Sequence, residues 1–230
     1  MPKDYELIGK GLYTLHEAYR FTQVPSRRIV RWTRGYRYLY GGKTHFSKPL
    51  IAHELNPVNN QPILSFLDLI EIRFLSAFRS YGVGWKAIRI AAQRAQEILN
   101  HTHPFSTKRF KTEGRSIFAD FVDKTGDRHL LDLVKNQFEF RRVVAPYLYT
   151  GIEFYNEEPL RWWPMGKTAG IVIDPQRNFG APIVSKVGIP TRVLTNSFNA
   201  ENSFEAVADW YGISATMVER AVEYEQTLPN

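Results

Sequence analysis

Residues 12 to 48 admit few folds, because a helical period gives way to a strand period there at defined boundaries. Thr14 and Glu17 are spaced as a capping-box pair, which predicts a helix starting after Thr14. Leu15, Ala18 and Phe21 then share one apolar face. Thr22-Gln23-Val24-Pro25 interrupts that helix, and Ser26 is placed to open a second one with Ile29 and Trp32 turned inward. From Tyr36 to Tyr40 the pattern alternates, and after Gly41-Gly42 it resumes at Lys43 to Phe46. Glycine accepts the positive φ of a two-residue turn, so this stretch predicts a β-hairpin. Two short helices, a turn and a hairpin in this order predict a winged helix-turn-helix.

Charge separates the two ends of the chain. Between Thr14 and Lys48 eight bases (Arg20, Arg27, Arg28, Arg31, Arg34, Arg37, Lys43 and Lys48) face one acid, Glu17, a net of +7 that equals the formal charge of the whole protein. Between Ala200 and Asn230 six acids (Glu201, Glu205, Asp209, Glu219, Glu223 and Glu225) face one base, Arg220. Phosphates attract the first segment and repel the second. The N-terminal unit is therefore the expected nucleic-acid reader, and the C-terminal one is expected to contact protein. In the second helix Arg27, Arg31 and Arg34 fall on one outward face, with Arg28 beside them. Arginine can bind guanine edges in the major groove bidentately, while Arg37, Lys43 and Lys48 suit backbone or minor-groove contact from the wing.

At 230 residues the chain is long enough for a core and two domains. Leu64 to Tyr81 and Trp85 to Leu99 read as a second helix pair broken at Gly82-Val83-Gly84. Thr107 to Lys111 and Arg115 to Phe121, around Thr112-Glu113-Gly114, are expected to form another hairpin, and Leu130 to Tyr149 a helix bent before Pro146. Ile152 to Tyr155 and Leu160 to Trp163 are short strand candidates. Pro164 to Gly170 reads as a linker. A strand at Ile171 to Ile173 and a Pro/Gly-punctuated loop come next. Helices are expected near Thr191 to Phe198, Ser203 to Tyr211 and Ser214 to Gln226.

Two stretches resemble known families. Glu17-Ala18-Tyr19-Arg20-Phe21-Thr22-Gln23-Val24, then Ile29 and Trp32, with Phe74-Leu75, Tyr81-Gly82-Val83 and Ile88 further on, resemble the DNA-binding domain of MerR-type regulators. Tyr19 and Gln23 stand where that family has a small residue and glycine. Ile173-Asp174-Pro175, Gly180, Pro182-Ile183-Val184, Ile189-Pro190-Thr191 and Ser203-x-Glu205-Ala206 through Val218 are similar to the bacterial domain of unknown function 433; Lys186-Val187-Gly188 replaces its usual G-T-R. A winged N-terminal half joined to this domain resembles the larger VapB-like antitoxins. That resemblance implies a PIN-type ribonuclease toxin as partner, operator DNA as target and repression of the chain's own operon.

Other chemistry finds little support. The absence of cysteine removes disulfides, thiolate metal sites and thiol nucleophiles. His101-Thr102-His103 has metal-compatible spacing without a third ligand nearby, and a helix-end loop explains it. Asp120, Asp123, Asp127 and Glu139 could imitate a nuclease carboxylate cluster, but an acid-rich turn explains them. Gly9-Lys10-Gly11 and Gly166-Lys167-Thr168 lack the upstream glycine of a phosphate-binding loop. No enzyme, cofactor or metal is expected. No apolar run approaches the roughly 20 residues of a membrane span, and the start Met-Pro-Lys-Asp-Tyr-Glu lacks a signal peptide's apolar stretch, so a cytoplasmic protein is expected. Trp162-Trp163 on an extended segment places one ring on each face; an exposed ring would suit an interface, and core packing on both sides is the alternative. Arg161, Arg177 and Arg192 are candidates to plug a toxin's acidic site.

The expected fold is mainly α with small β-hairpins: a winged helix-turn-helix over 1–100, a connecting hairpin-and-helix region over 101–165 that offers toxin or dimer contact, and a small helix-turn-helix-like domain over 166–230. The expected assembly is a homodimer within a hetero-oligomer. A stand-alone regulator with a small-molecule pocket between residues 100 and 165 is the alternative.

Overall fold

In the computed structural model residues 9–52, 54–58, 61–119, 126–135 and 150–229 are described. The winged unit forms as the periodicity requires. Helix α1 (Leu15–Thr22) begins with the complete capping box: Glu17 N–H donates to Thr14 Oγ1 at 3.2 Å, and Thr14 N–H donates to Glu17 Oε2 at 2.8 Å. Gln23 ends it in the left-handed region at φ 58°, the conformation for which the MerR pattern uses glycine. Helix α2 (Ser26–Arg34) buries Ile29, Trp32 and Thr33. Strands β1 (Tyr36–Tyr40) and β2 (Lys43–Ser47) pair antiparallel, with Gly41 and Gly42 both at positive φ in the turn between them.

Helices α3 (Phe66–Ser80) and α4 (Trp85–Leu99) follow. Ten of the fifteen residues of α3 are buried, so it runs through the core rather than along its surface. The expected hairpin over 107–121 is wrong: Lys108–Ala119 is a helix, α5. Thr107 starts it by accepting Phe110 N–H on its hydroxyl at 3.1 Å. Phe110, Ile117 and Phe118 make its inner stripe, a helical spacing that the Thr-Glu-Gly triplet obscured. Gly114 is required inside this helix for space, because a Cβ there would sit 2.8 Å from the Phe110 ring. Helix α6 (Arg128–Lys135) covers the start of the helix expected over 130–149; residues 136–149 lie outside the described residues.

The stretch expected to be a linker joins neighbouring strands of one sheet. Strands β3 (Ile152–Tyr155), β4 (Glu158–Trp162), β5 (Ile171–Ile173) and β6 (Pro182–Val184) form an antiparallel sheet in chain order, with Trp162 paired to Ile173. Strand β6 occupies part of the loop expected after Ile173. Ile173 belongs to the large core around α3, and Ile171 to a second core under helices α7 (Thr191–Glu201), α8 (Phe204–Tyr211) and α9 (Ala215–Thr227). The sheet thus ties the two cores together. Further ties are the hydrogen bond from Leu12 N–H to the Phe179 carbonyl at 2.8 Å and the ion pair from Arg20 on α1 to Glu225 on α9 at 2.8 Å.

A charged cluster lies inside the larger core. Asp68 caps α3 by accepting Ser65 N–H on Oδ2 at 2.8 Å, and its Oδ1 meets His103 Nε2 at 2.9 Å, both side chains fully buried. Burial alone would lower the His103 pKa, but the hydrogen bond to Asp68 and the charges of Glu71 and Asp68 outweigh it and raise the group to about 9. Burial pushes the neighbouring Glu71 carboxyl up to about 7, against the opposing His103 charge and the Phe105 N–H that donates to it at 3.0 Å. Both folded values lie above the ordinary ones of 6.5 and 4.5, so both groups hold protons more tightly in the fold. The Glu71 contribution is complete below pH 4.5 and lost as pH rises through 7; that of His103 is complete below 6.5 and lost through 9. Unfolding free energy from urea titration is therefore expected to fall as pH rises between 5 and 9. His103→Ala should remove the upper part of that slope and cost about 3–5 kcal/mol, since Asp68 is left buried without its counter-charge.

Candidate nucleic-acid interface

Helix α2 faces the core with Ile29 and Trp32, and Trp32 packs edge-on against Trp85 of α4 with ring centroids 5.6 Å apart. This packing leaves the opposite side of the helix to its arginines. Arg27, Arg28, Arg31 and Arg34 are all exposed, and among the described residues no carboxylate pairs with Arg27, Arg28 or Arg31. The wing residues Arg37, Lys43 and Lys48 are exposed as well. All seven sequence-derived reader residues thus lie on the surface of one helix and its adjoining hairpin.

The hairpin is fixed to the helix at both ends. The Trp32 carbonyl accepts Leu50 N–H at 2.7 Å and Ile51 N–H at 3.1 Å, which returns the chain beside α2 after β2. Arg89 of α4 donates to the Lys48 carbonyl and to Ser47 Oγ, each at 2.9 Å. At the other end the Arg31 guanidinium lies 4.4 Å above the Tyr36 ring.

Sequence reasoning missed one contributor. A cavity of about 340 Å³ opens beside α2, walled by Arg28, Arg31 and Tyr36 on one side and by Ser76, Arg79, Ser80 and Trp85 on the other. Arg79 reaches it from the end of α3, its guanidinium 4.9 Å from the Trp85 ring centroid and one Nη donating to the Val83 carbonyl. Three guanidiniums and two serine hydroxyls line this space with no carboxylate, an environment that suits a phosphate group. The signal in the sequence was the helix spacing of Ser76, Arg79 and Ser80, which means nothing until α3 is laid beside α2.

Arg20, counted above with the basic segment, is used elsewhere. Its Nη2 donates to Glu225 and its Nε to the Pro229 carbonyl at 3.2 Å. Of the residues expected to meet a protein partner, Trp162 is buried, with the Arg73 guanidinium 4.1 Å from its ring. Trp163 is half-buried and donates from Nε1 to Glu153 at 3.1 Å. Arg161 lies between Glu153 at 3.7 Å and Asp174 at 4.0 Å, and Arg177 donates to the Ser185 carbonyl at 2.8 Å. Arg192 is exposed at the start of α7. Asp127, considered above as a nuclease ligand, instead accepts Leu130 N–H at 2.9 Å and Gly84 N–H at 2.8 Å, which fastens α6 to the start of α4. Asp120, Asp123 and Glu139 lie outside the described residues.

Comparisons with known proteins find separate matches at the two ends of the chain. Residues 11–92 match the family described as "Putative DNA-binding HTH domain", and residues 171–224 match "Protein of unknown function (DUF433)". Over 223 residues the chain is 27% identical to a protein named "Putative antitoxin VapB45" from Mycobacterium tuberculosis (strain ATCC 25618 / H37Rv), with 92% of each chain covered. The fold is also that of the X-ray crystal structure of Rv2018 from Mycobacterium tuberculosis, with a TM-score of 0.72 and 24% identity over 94% of this chain and 98% of that one. The two matches fall in the order that the resemblance to VapB-like antitoxins implied, a helix-turn-helix followed by the domain of unknown function 433. No helix among the described residues is long and apolar enough to cross a membrane.

Arg20 and the exposed arginines are expected to separate by experiment. Arg20→Ala should cost roughly 1–3 kcal/mol of stability, as a charged hydrogen bond at a partly buried site does. The salt dependence of DNA binding should not change with it, which fluorescence anisotropy at several ionic strengths would check.

Proposed function

We propose that this chain is a DNA-binding antitoxin of the cytoplasm that represses its own operon and inhibits a PIN-type ribonuclease encoded beside it. The observation that carries the reading is the exposed arginine face of α2, continuous with a basic wing, on a chain whose other end is acidic. Helix α2 enters the major groove, where its arginines divide between guanine edges and phosphates. Lys43, Lys48 and Arg37 hold the backbone. Arg79, with Ser76 and Ser80, adds a phosphate contact from the second helix pair.

Inhibition is by occlusion, with no chemistry on this chain. Its surface outside the reader, including the acidic helices α8 and α9 and the exposed Arg192, meets the toxin. Two copies bind the paired half-sites of an operator. The division of charge supports this: a partner bound at the acidic end does not compete with DNA at the basic end.

Two measurements test the reading. On the DNA upstream of the chain's own reading frame, Arg31→Ala is expected to weaken binding by about 1–3 kcal/mol. The triple change at Arg27, Arg31 and Arg34 should also flatten the salt slope by about 1 for each phosphate that is no longer neutralised. An unchanged affinity and slope for the triple variant removes the reader from the account. Native mass spectrometry of the chain co-expressed with its adjacent reading frame should yield a stable hetero-oligomer; a homodimer alone, with the neighbour soluble, leaves a stand-alone regulator.

A further inference from the structure

A cavity of about 400 Å³ lies in the C-terminal unit, between the β5–β6 end of the sheet and the first turn of α9. Its floor is part of the core. Ile171 and Val184 are cross-strand partners, so they share one face of the sheet, and both line the cavity. Gly170, at φ 75°, turns the chain into β5, and its carbonyl accepts Ser185 N–H at 2.8 Å, which closes the end of the sheet. Met217 of α9 adds a second apolar wall. Val218, Ala221 and Val222 seat that helix on the same core, so the walls are fixed before any ligand arrives.

The rim is polar and positive. Lys186, from the loop after β6, and Arg220 of α9 line it together with Thr168, Ser185, Ser214 and Thr216. Thr216 and Arg220 are one helical turn apart and share a face. Glu223 engages one Nη of Arg220 at 2.6 Å, which leaves most of the donors of that guanidinium unused. Among the described residues Lys186 has no ion-pair partner, and the four hydroxyls make no hydrogen bond. No carboxylate lines the cavity. That is a local reversal of charge, because Ala200 to Asn230 carries six acids and one base, and the base is Arg220.

We propose that this cavity is a binding site for a small phosphate monoester, with the phosphate at Lys186 and Arg220 and the apolar or aromatic body on Ile171, Val184 and Met217. A preformed concave site with an apolar floor and a few convergent polar groups is the usual form of a ligand pocket, and this one stands near the lower end of their range of about 300–1,000 Å³. A phosphate brings acceptor oxygens for both cations and for the hydroxyls, and hydrogen bonds between charged partners are the strong ones. The dipole at the start of α9 has the same sign as the two cations. The site is separate from the arginine face of α2, and the inference depends on neither the DNA nor the toxin reading.

The chain contains three methionines, Met1, Met165 and Met217, so NMR of the full chain labelled at the methionine methyls resolves the cavity directly. Met217→Leu identifies the cavity signal, and Met165, packed on the same core outside the cavity, reports on the fold. Phenyl phosphate is the probe. It is expected to move the Met217 signal saturably, with a dissociation constant of about 1 mM or tighter. The double change Lys186→Ala and Arg220→Ala, at exposed positions, should weaken binding at least about tenfold with the Met165 signal in place. Lys186→Ala alone, where no internal partner is lost, should weaken it in the same direction. Phenol and inorganic phosphate, the two halves of the probe, should each need at least about tenfold more ligand. No saturable shift of Met217 overturns the site, as does unchanged affinity in either variant. A response to phenol or to inorganic phosphate equal to that of phenyl phosphate overturns the assigned class of ligand.

Discussion

Asp68 serves two partners at once, and the arrangement of the N-terminal unit depends on them. One carboxylate oxygen caps α3 and the other holds His103, which anchors the segment leading into α5. With its start fixed, α3 carries Phe74 and Phe78 into the aromatic core with Phe105, Phe110 and Phe118, and delivers Ser76 and Arg79 to the side of α2. A buried carboxylate with a buried histidine has a large desolvation cost, so the pair is tolerated only because each is hydrogen-bonded to the other. The same feature couples the stability of the core to protonation.

The chain keeps its charges apart by using a few of them internally. Glu225 of the acidic end accepts Arg20 of the basic end, and Asp174 and Glu153 share Arg161. These pairs lie along the junction between the two cores, where the sheet already crosses. Among the described residues, Arg27, Arg28 and Arg31 of α2 have no such carboxylate partner. The basic surface left exposed is therefore one helix, its ribbon and the end of α3, while α8 and α9 keep Glu205, Asp209, Glu219 and Glu223 exposed.

Much of this was legible in the chain where the signal is local. The capping box at Thr14, the Gly-Gly turn and the arginine spacing on α2 each follow from a few adjacent residues, and the structure forms them as expected. Local reasoning failed where a residue's meaning is set by distant neighbours or by packing. Gly114 signals a turn unless one sees that Phe110 fills the space a side chain would take. Pro164 to Gly170 has the composition of a linker, yet the strand pairing of Trp162 with Ile173 closes it into a sheet. Arg20 and Arg79 have the same chemistry in the sequence; only packing assigns one to Glu225 and the other to the cavity beside α2.

Hydrogen–deuterium exchange of the full chain, with and without the duplex from upstream of its own reading frame, tests the central claim directly. Slower exchange is expected over 26–47 and around 76–85, and unchanged exchange over 200–229, because phosphates repel the acidic helices. Protection of 200–229 by DNA, or its absence over 26–47, contradicts the division of labour between the two ends.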